Sequence, residues 1–194
     1  MTRSPSAGTP KPPIQLLVPF SEDDGQALRA GDEVLLSGVV YTARDAAHQR
    51  LAAMLNDSKP LPIDLRGQVI YYCGPTPPRP GRPIGSAGPT TASRMDSYTP
   101  RLIAYGVRGM IGKGRRSQDV REAIKRFHAI YFGAIEGTAA LLGQRVQEAK
   151  VVAFADLGTE AIHRLVIQEF PVVIVNDTVG GDLYLDGLAR YHRE

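Results

Sequence analysis

The sequence predicts a single α/β domain with a mixed sheet. Short runs rich in Val, Leu and Ile alternate with segments of helical spacing, and the chain contains neither a repeat nor an internal linker. Its 194 residues suit one domain, because single domains commonly contain about 100–200 residues. Apolar residues at 43% and charged residues at 22% are typical of a globular protein. We expect residues 14–194 to form this domain and residues 1–13 to form a loose tail.

The first half of the domain is predicted to alternate between strand and helix. Ser21, which three acids follow, predicts the N-cap and first turn of a helix that ends near Gly31. Residues 33–41 are rich in Val and Leu and predict a buried strand, and apolar spacing then predicts a helix over residues 44–55. Two further short strands are predicted at residues 14–18 and 68–72.

The second half continues the alternation. Ser117 predicts the cap of a helix that reaches about His128. A short helix at residues 137–142 and a helical turn at 160–165 are also expected. The predicted strands of this half occupy residues 109–111, 129–132, 151–154 and 170–175.

A long loop is predicted over residues 73–89, because Pro and Gly are too frequent there for helix or strand. Loops of this length in compact domains are usually functional or disordered. We favour a functional loop, since its end carries hydroxyl groups and charge.

Composition excludes several classes of protein. No apolar run approaches the roughly 20 residues of a membrane-spanning helix, and the first 13 residues lack the apolar core of a signal peptide, so we expect a cytoplasmic protein. A net charge of +3 is spread among acids and is weak support for nucleic-acid binding. One cysteine, Cys73, allows no internal disulfide and cannot supply the thiolates of an iron-sulfur cluster.

Two segments carry charged and hydroxyl side chains that could have a functional role. In Tyr41-Thr-Ala-Arg-Asp-Ala-Ala-His48, Arg44 and Asp45 lie in a predicted first helical turn and His48 follows one turn later on the same face. In Gly88-Pro-Thr-Thr-Ala-Ser-Arg-Met-Asp96, a helical start would put Thr90 and Arg94 on one side, near free backbone N–H groups. The alternatives are a capping Asp with an exposed Arg, and a Thr-capped helix with a surface Arg.

The third such segment is Gly112-Lys-Gly-Arg-Arg116. Its glycines would allow the backbone of Lys113 to approach a ligand closely, and Arg115 and Arg116 could join Lys113 in holding a small anion. The alternative is a solvated basic turn. Arg binds carboxylates with two parallel hydrogen bonds and Lys acts as a point charge, so the three segments together suit a small dicarboxylate.

These segments, with Tyr72-Cys-Gly-Pro75, occur in the order found in the β portion of class I fumarases and tartrate dehydratases, and the chain resembles that iron-sulfur hydro-lyase family. The stretches 156–162 and 169–174 resemble its C-terminal region too. The resemblance implies a swivelling β/β/α domain that closes over an active site carried mainly by a separate α subunit or N-terminal domain. That partner would hold a [4Fe-4S] cluster, in a homo- or hetero-oligomer.

The resemblance also implies a function and a site. The expected reaction is reversible hydration of a dicarboxylate, with fumarate and malate as the expected pair, as in the tricarboxylic acid cycle. Arg44, Arg94 and Lys113 resemble the ligands of the substrate carboxylates, and Thr90 resembles the hydroxyl that takes part in proton transfer. A threonine hydroxyl needs activation by a carboxylate, which the partner would supply.

Supporting roles are expected for Asp45, His48 and Asp96. Asp45 and Asp96 would orient neighbouring Arg side chains or cap helices. The four histidines are scattered, so no metal site is expected in this chain, and Cys73 is interpreted as structural.

Rival interpretations remain open. Residues 76–86 contain more Pro and Arg than the family leads us to expect, which could alter substrate choice between fumarate, tartrate and methyl-substituted dicarboxylates. One rival is a non-catalytic module that binds a dicarboxylate or docks on a partner. Another is a nucleic-acid binder using Arg79, Arg82, Arg115 and Arg116, which few interleaved aromatic residues support.

Overall fold

Seven strands form one mixed sheet in the computed structural model, which describes residues 11–134 and 138–191. The strands are β1 (Ile14–Val18), β2 (Glu33–Thr42), β3 (Val69–Tyr71), β4 (Gly109–Gly112), β5 (Ile130–Gly133), β6 (Val146–Ala153) and β7 (Ile162–Asn176). The α-helices are α1 (Glu22–Ala27), α2 (Asp45–Asn56), α3 (Thr99–Tyr105), α4 (Gln118–Arg126), α5 (Ala139–Gln144) and α6 (Leu183–Tyr191). Two 3₁₀ helices span Ala92–Met95 and Ala155–Glu160.

Five of the strands close on themselves like a small barrel. β2, β3, β4 and β5 run parallel in that order, and β7 is antiparallel to both β5 and β2, so it closes the ring. β1 extends the sheet beside β2, and β6 extends it beside β7. The four parallel strands therefore end at the same edge. The predicted mixed sheet with flanking helices is confirmed.

Two apolar cores lie on opposite faces of this sheet. Neighbouring residues of a strand point to opposite faces, so Tyr71 and Phe132 pack inside the ring while Ile70 and Tyr131 pack beneath the helices. The outer core is covered by buried residues of α2, α3 and α4, among them Leu51, Leu102, Ile103, Val120 and Ile124. Burial on both faces explains why the parallel strands read as continuous apolar runs.

The predicted helix caps are confirmed. The Ser21 side chain accepts from the N–H of Asp24 at 3.1 Å, and that of Ser117 accepts from Val120. The first helix ends at Ala27, short of the predicted Gly31. The backbone becomes extended at Leu28, and the N–H of Gly31 then donates to the carbonyl of Ile174 at 2.9 Å, a partner that local sequence does not reveal.

The predicted helical turn at 160–165 is wrong. Residues from Ile162 onward belong to β7, which pairs with β2 on one edge and with β6 and β5 on the other. These two ladders satisfy backbone groups that a helix would have satisfied internally. The strand predicted at 151–154 is the end of the longer β6, and α3 and α6 were not predicted.

The remaining elements agree within one or two residues, including the loop at 73–89, which has no regular secondary structure. Residues 1–10 of the predicted tail, Gly137 of a predicted helix and His192 lie outside the described residues. No helix within the described part of the chain has the length and apolar character needed to cross a bilayer.

Candidate active site

The predicted substrate ligands lie near the carboxyl ends of the parallel strands. Arg44 follows β2 by two residues, and Lys113 comes directly after β4. Thr90 is held between the ends of β3 and β4, because its N–H donates to the carbonyl of Tyr72 at 2.6 Å and its own carbonyl accepts from the N–H of Lys113 at 3.2 Å. The long loop thus returns to the edge of the sheet from which it left.

The predicted helical start at Thr90 is wrong. Thr90 and Thr91 continue the sheet pairing, Thr91 forming a parallel bridge with Lys113, and the 3₁₀ helix begins only at Ala92. No side chain caps this helix. Arg94 is therefore carried by the helix, whereas Thr90 is fixed by backbone bonds to its neighbours.

Asp45 contacts both arginines that are predicted to bind the substrate carboxylates. It accepts two hydrogen bonds from Arg94, and its carboxylate lies 3.8 Å from Nε of Arg44. Arg94 is half exposed and Asp45 one-third exposed, so this pair contributes at most about 1 kcal/mol to folding. Its clearer effect is geometric, since a carboxylate bonded to both Nε and Nη2 fixes the plane of the guanidinium.

Glu160 is a site-adjacent residue that sequence reasoning missed. Its carboxylate accepts from the N–H of Ala46 in the first turn of α2 at 2.9 Å and lies 3.8 Å from the guanidinium of Arg44. Gly74 provides room for that guanidinium, since a Cβ there would lie 3.1 Å from Nη1 of Arg44. The available signal was the position of Glu160 within the 156–162 stretch that resembles the family.

Arg44 retains an unused buried donor. Among the described residues, its Nε has no hydrogen-bond acceptor, although the atom is shielded from solvent. The carboxylate of Asp45 lies 3.8 Å from this atom, and the side chain as a whole is about one-quarter exposed, so other parts of the guanidinium remain accessible.

His48 is buried beneath Arg44 and supports its backbone. The Nδ1–H donates to the carbonyl of Arg44 at 2.9 Å, and the ring meets Tyr72 edge-on at 5.2 Å. Burial lowers the pKa of His48 to about 4, so the imidazole is neutral at physiological pH. Its supporting role stays a prediction.

Arg116 cannot join Lys113 in holding an anion, and that prediction is corrected. Its side chain is fully buried, where Nε donates to Asp96 at 2.8 Å and Nη2 donates to Thr99 at 2.8 Å. Its guanidinium also stacks over the ring of Tyr131, 4.9 Å from the centroid. Thr99 and Tyr131 are buried and Asp96 is mostly buried, so Arg116 serves the packing of this region.

Asp96 accepts a hydrogen bond from Arg116 and not from Arg94, its nearer neighbour in the sequence. The second carboxylate oxygen of Asp96 accepts from the N–H of Ser117 at 2.7 Å, at the start of α4. Asp96 follows the 3₁₀ helix that carries Arg94, so it connects that helix to the segment after Lys113.

The two glycines beside Lys113 are required by the structure itself. A Cβ at Gly112 would lie 2.8 Å from the ring of Tyr72, and Gly114 has φ +81°. Packing and backbone conformation therefore require them without reference to a ligand. Lys113 does border a groove of about 440 Å³. The lining of that groove also includes the largely apolar side chains of Val173, Val175, Leu183 and Tyr184.

Cys73 is buried, and burial raises its pKa to about 12, so it stays a thiol. Within residues 11–134 and 138–191, no three His, Cys, Asp or Glu side chains are grouped so as to hold a metal ion.

Comparisons with known proteins agree with these observations. Residues 5–187 match the model of the family described as Fumarase C-terminus. The chain is 40% identical over 151 residues to the anaerobic class I fumarate hydratase of Escherichia coli K12 and 38% identical over 161 residues to fumarate hydratase 2 of Leishmania major. These matches cover 77% and 82% of this chain but 28% of each relative.

A relative of similar length is also found. A protein of Methanocaldococcus jannaschii, whose name gives it as the β subunit of an L(+)-tartrate dehydratase, is 33% identical over 171 residues. This match covers 85% of the present chain and 88% of the relative. On the extent of the family match and on these identities, the chain belongs to the fumarase C-terminus family.

Proposed function

We propose that this chain is the β subunit, or C-terminal portion, of a cytoplasmic hydro-lyase that reversibly hydrates a small dicarboxylate, with fumarate and malate as the substrate pair. Relatives named fumarate hydratase support the reaction class. The chain corresponds to little more than a quarter of those proteins, so the activity is proposed for an assembly with an α portion.

The observation that carries this proposal is the grouping of Arg44 and Arg94 around Asp45, near the carboxyl ends of the parallel strands where Lys113 also lies. The partly exposed guanidinium of Arg44 would bind one carboxylate of the substrate. Arg94, on the 3₁₀ helix Ala92–Met95, and Lys113, directly after β4, would bind the remaining carboxylate oxygens. Two arginines and a lysine match the two negative charges of the substrate and their planar, bidentate geometry.

The proposed role of Thr90 is to hold or move a proton at Oγ1. Backbone bonds to the ends of β3 and β4 fix the residue beside Lys113, so the hydroxyl is positioned without a flexible loop. A hydroxyl of ordinary pKa is a weak base, and we propose that a carboxylate of the partner activates it.

The residues of this chain do not fit an iron-sulfur cluster, because such a cluster takes cysteine ligands and the only thiol is buried and protonated. We therefore propose that the partner carries the [4Fe-4S] cluster, which would supply a Lewis acid for the leaving hydroxyl. This chain would bind and orient the carboxylates and close the site against water.

A second candidate is the β subunit of an L-tartrate dehydratase. The relative from Methanocaldococcus jannaschii favours it, because that protein matches this chain along most of its own length. The non-enzymatic alternative is a module that binds a dicarboxylate or docks on a partner protein without catalysis.

Anaerobic co-expression with the iron-sulfur partner tests the proposal. Fumarate hydration and tartrate dehydration would be followed in the purified complex, with Arg94→Ala as the variant and Arg126→Ala, on the exposed end of α4, as the matched control. We expect turnover of one substrate, lost in Arg94→Ala and kept in Arg126→Ala. A folded, metal-loaded complex that turns over neither substrate would contradict the enzyme assignment and favour the module.

A further inference from the structure

Residues 76–86 form a closed loop with an ordered neck. The N–H of Thr76 donates to the carbonyl of Ser86 at 3.1 Å, and the N–H of Gly85 donates back to the carbonyl of Thr76 at 2.9 Å. The N–H of Ser86 also donates to Oγ1 of Thr76 at 2.7 Å. These bonds fix the two ends of the loop against each other, so its tip is presented in one orientation.

The tip is a tight turn that carries an arginine at each end. The N–H of Arg82 donates to the carbonyl of Arg79 at 3.0 Å, and Gly81 between them has φ +74°. Pro at the second position and a glycine of positive φ at the third are the features of a type II turn. Such a turn holds its first and last Cα atoms within about 7 Å, so both guanidinium groups start from a fixed, short separation.

Both arginines line a cavity of about 300 Å³ between this loop and α5. The loop and helix are in close contact, since a Cβ at Gly143 would overlap the carbonyl oxygen of Gly85. Polar groups of Thr76, Ser86 and Gln144 complete the lining, and no described lining residue is acidic. Within the described part of the chain, neither Arg79 nor Arg82 is paired with a carboxylate.

We propose that this cavity binds a small, doubly charged anion, a phosphate ester or a dicarboxylate, through Arg79 and Arg82. Each guanidinium offers five N–H donors in a planar fork that matches phosphate and carboxylate oxygens. The volume suits a metabolite-sized ligand rather than a nucleic-acid strand. Arg44, Arg94 and Lys113 do not line this cavity, so this site uses none of the side chains assigned to the candidate active site.

Titration of the full chain by ¹H–¹⁵N NMR tests this site. Phenyl phosphate and succinate, both close to dianions at pH 7.5, serve as the two probes at constant ionic strength maintained with potassium chloride, and the amides of Gly81, Arg82, Gly85 and Ser86 are followed. We expect saturable shifts at these amides. The tighter probe identifies the ligand as a phosphate ester or a dicarboxylate, and either result supports the site.

Three variants locate the binding. Arg79→Gln with Arg82→Gln should weaken binding at the loop by about tenfold or more, because hydrogen bonds to charged groups are being removed. Arg94→Gln and the matched surface variant Arg126→Gln should leave it unchanged. The proposal would be overturned by an absence of saturation, by equal weakening in Arg126→Gln, or by shifts that chloride alone reproduces.

Discussion

Arg94 donates to both carboxylate oxygens of Asp45, from Nε at 2.9 Å and from Nη2 at 2.8 Å, although the two residues are 49 positions apart. The pair connects the 3₁₀ helix that follows the long loop to the first turn of α2. Nη1 of Arg94 takes part in neither of these two hydrogen bonds. Asp45 therefore sets the direction in which Arg94 presents its remaining donors.

Asp45→Asn should raise KM for the dicarboxylate about two- to fivefold with a smaller change in kcat, because Arg94 loses its charged partner but remains in place. Steady-state kinetics of the assembled enzyme measure this. Asp156→Asn is a matched control, since Asp156 forms a similar two-bond pair with Arg50 on the surface. Equal KM changes in the two variants would show that Asp45 has no specific part in orienting Arg94.

Thr90→Ala should lower kcat by about 10²–10⁴, the usual contribution of one acid-base group, with little loss of stability. The bonds that fix residue 90 come from its backbone and survive the substitution. Initial rates and thermal unfolding of the same preparations check both statements. Ser93→Ala, an exposed hydroxyl in the adjacent 3₁₀ helix, should behave like the unmodified protein. Retention of most activity in Thr90→Ala would remove Thr90 from the proposed chemistry.

Arg116→Ala should destabilise the protein by about 3–5 kcal/mol, because it leaves Asp96 without its cation in a mostly buried setting. Arg115→Ala is the control: this neighbour is exposed and stacks over Tyr184, so its removal should change the free energy of unfolding by about 1 kcal/mol or less. Urea unfolding of both variants provides the measurement. Similar small losses would mean that the Arg116 network contributes little.

The buried imidazole of His48 should make the fold less stable in mild acid. Its pKa is about 4 in the folded chain and 6.5 when unfolded, so below pH 6.5 the unfolded state binds the proton more readily. Stability is therefore kept above about pH 6.5 and is lost as the pH falls towards 4. Between about pH 7.5 and 5 the loss should be about 2 kcal/mol.

His48→Gln should reduce this dependence, because glutamine does not titrate and can still donate to the carbonyl of Arg44. Chemical unfolding at several pH values would measure the slope for both proteins. Above about pH 7.5 His48 contributes no slope, and the two curves should run parallel there. If the free energy of unfolding of the variant falls just as steeply in acid, the pH dependence arises from the carboxylates and not from His48.

Local sequence patterns were sufficient for much of the fold. Apolar runs predicted five of the seven strands to within one residue, and for β6 and β7 they found only the C-terminal part. Ser21 and Ser117 predicted two caps, because a cap depends on groups three residues away. Residues 160–165 were misassigned because β7 is specified by pairing on both edges, with strands distant in sequence.

The sequence by itself determined which residue types the site contains and where the chain turns, since caps, Pro and Gly act locally. Only the tertiary structure decided which charges meet. Asp96 is two residues from Arg94 yet bonds Arg116, and Arg94 bonds Asp45 instead. These pairings follow from the parallel order of β2, β3 and β4, which brings distant segments to one edge of the sheet. Arg116 thereby became interior structure, while Arg44 kept a buried donor without an acceptor among the described residues.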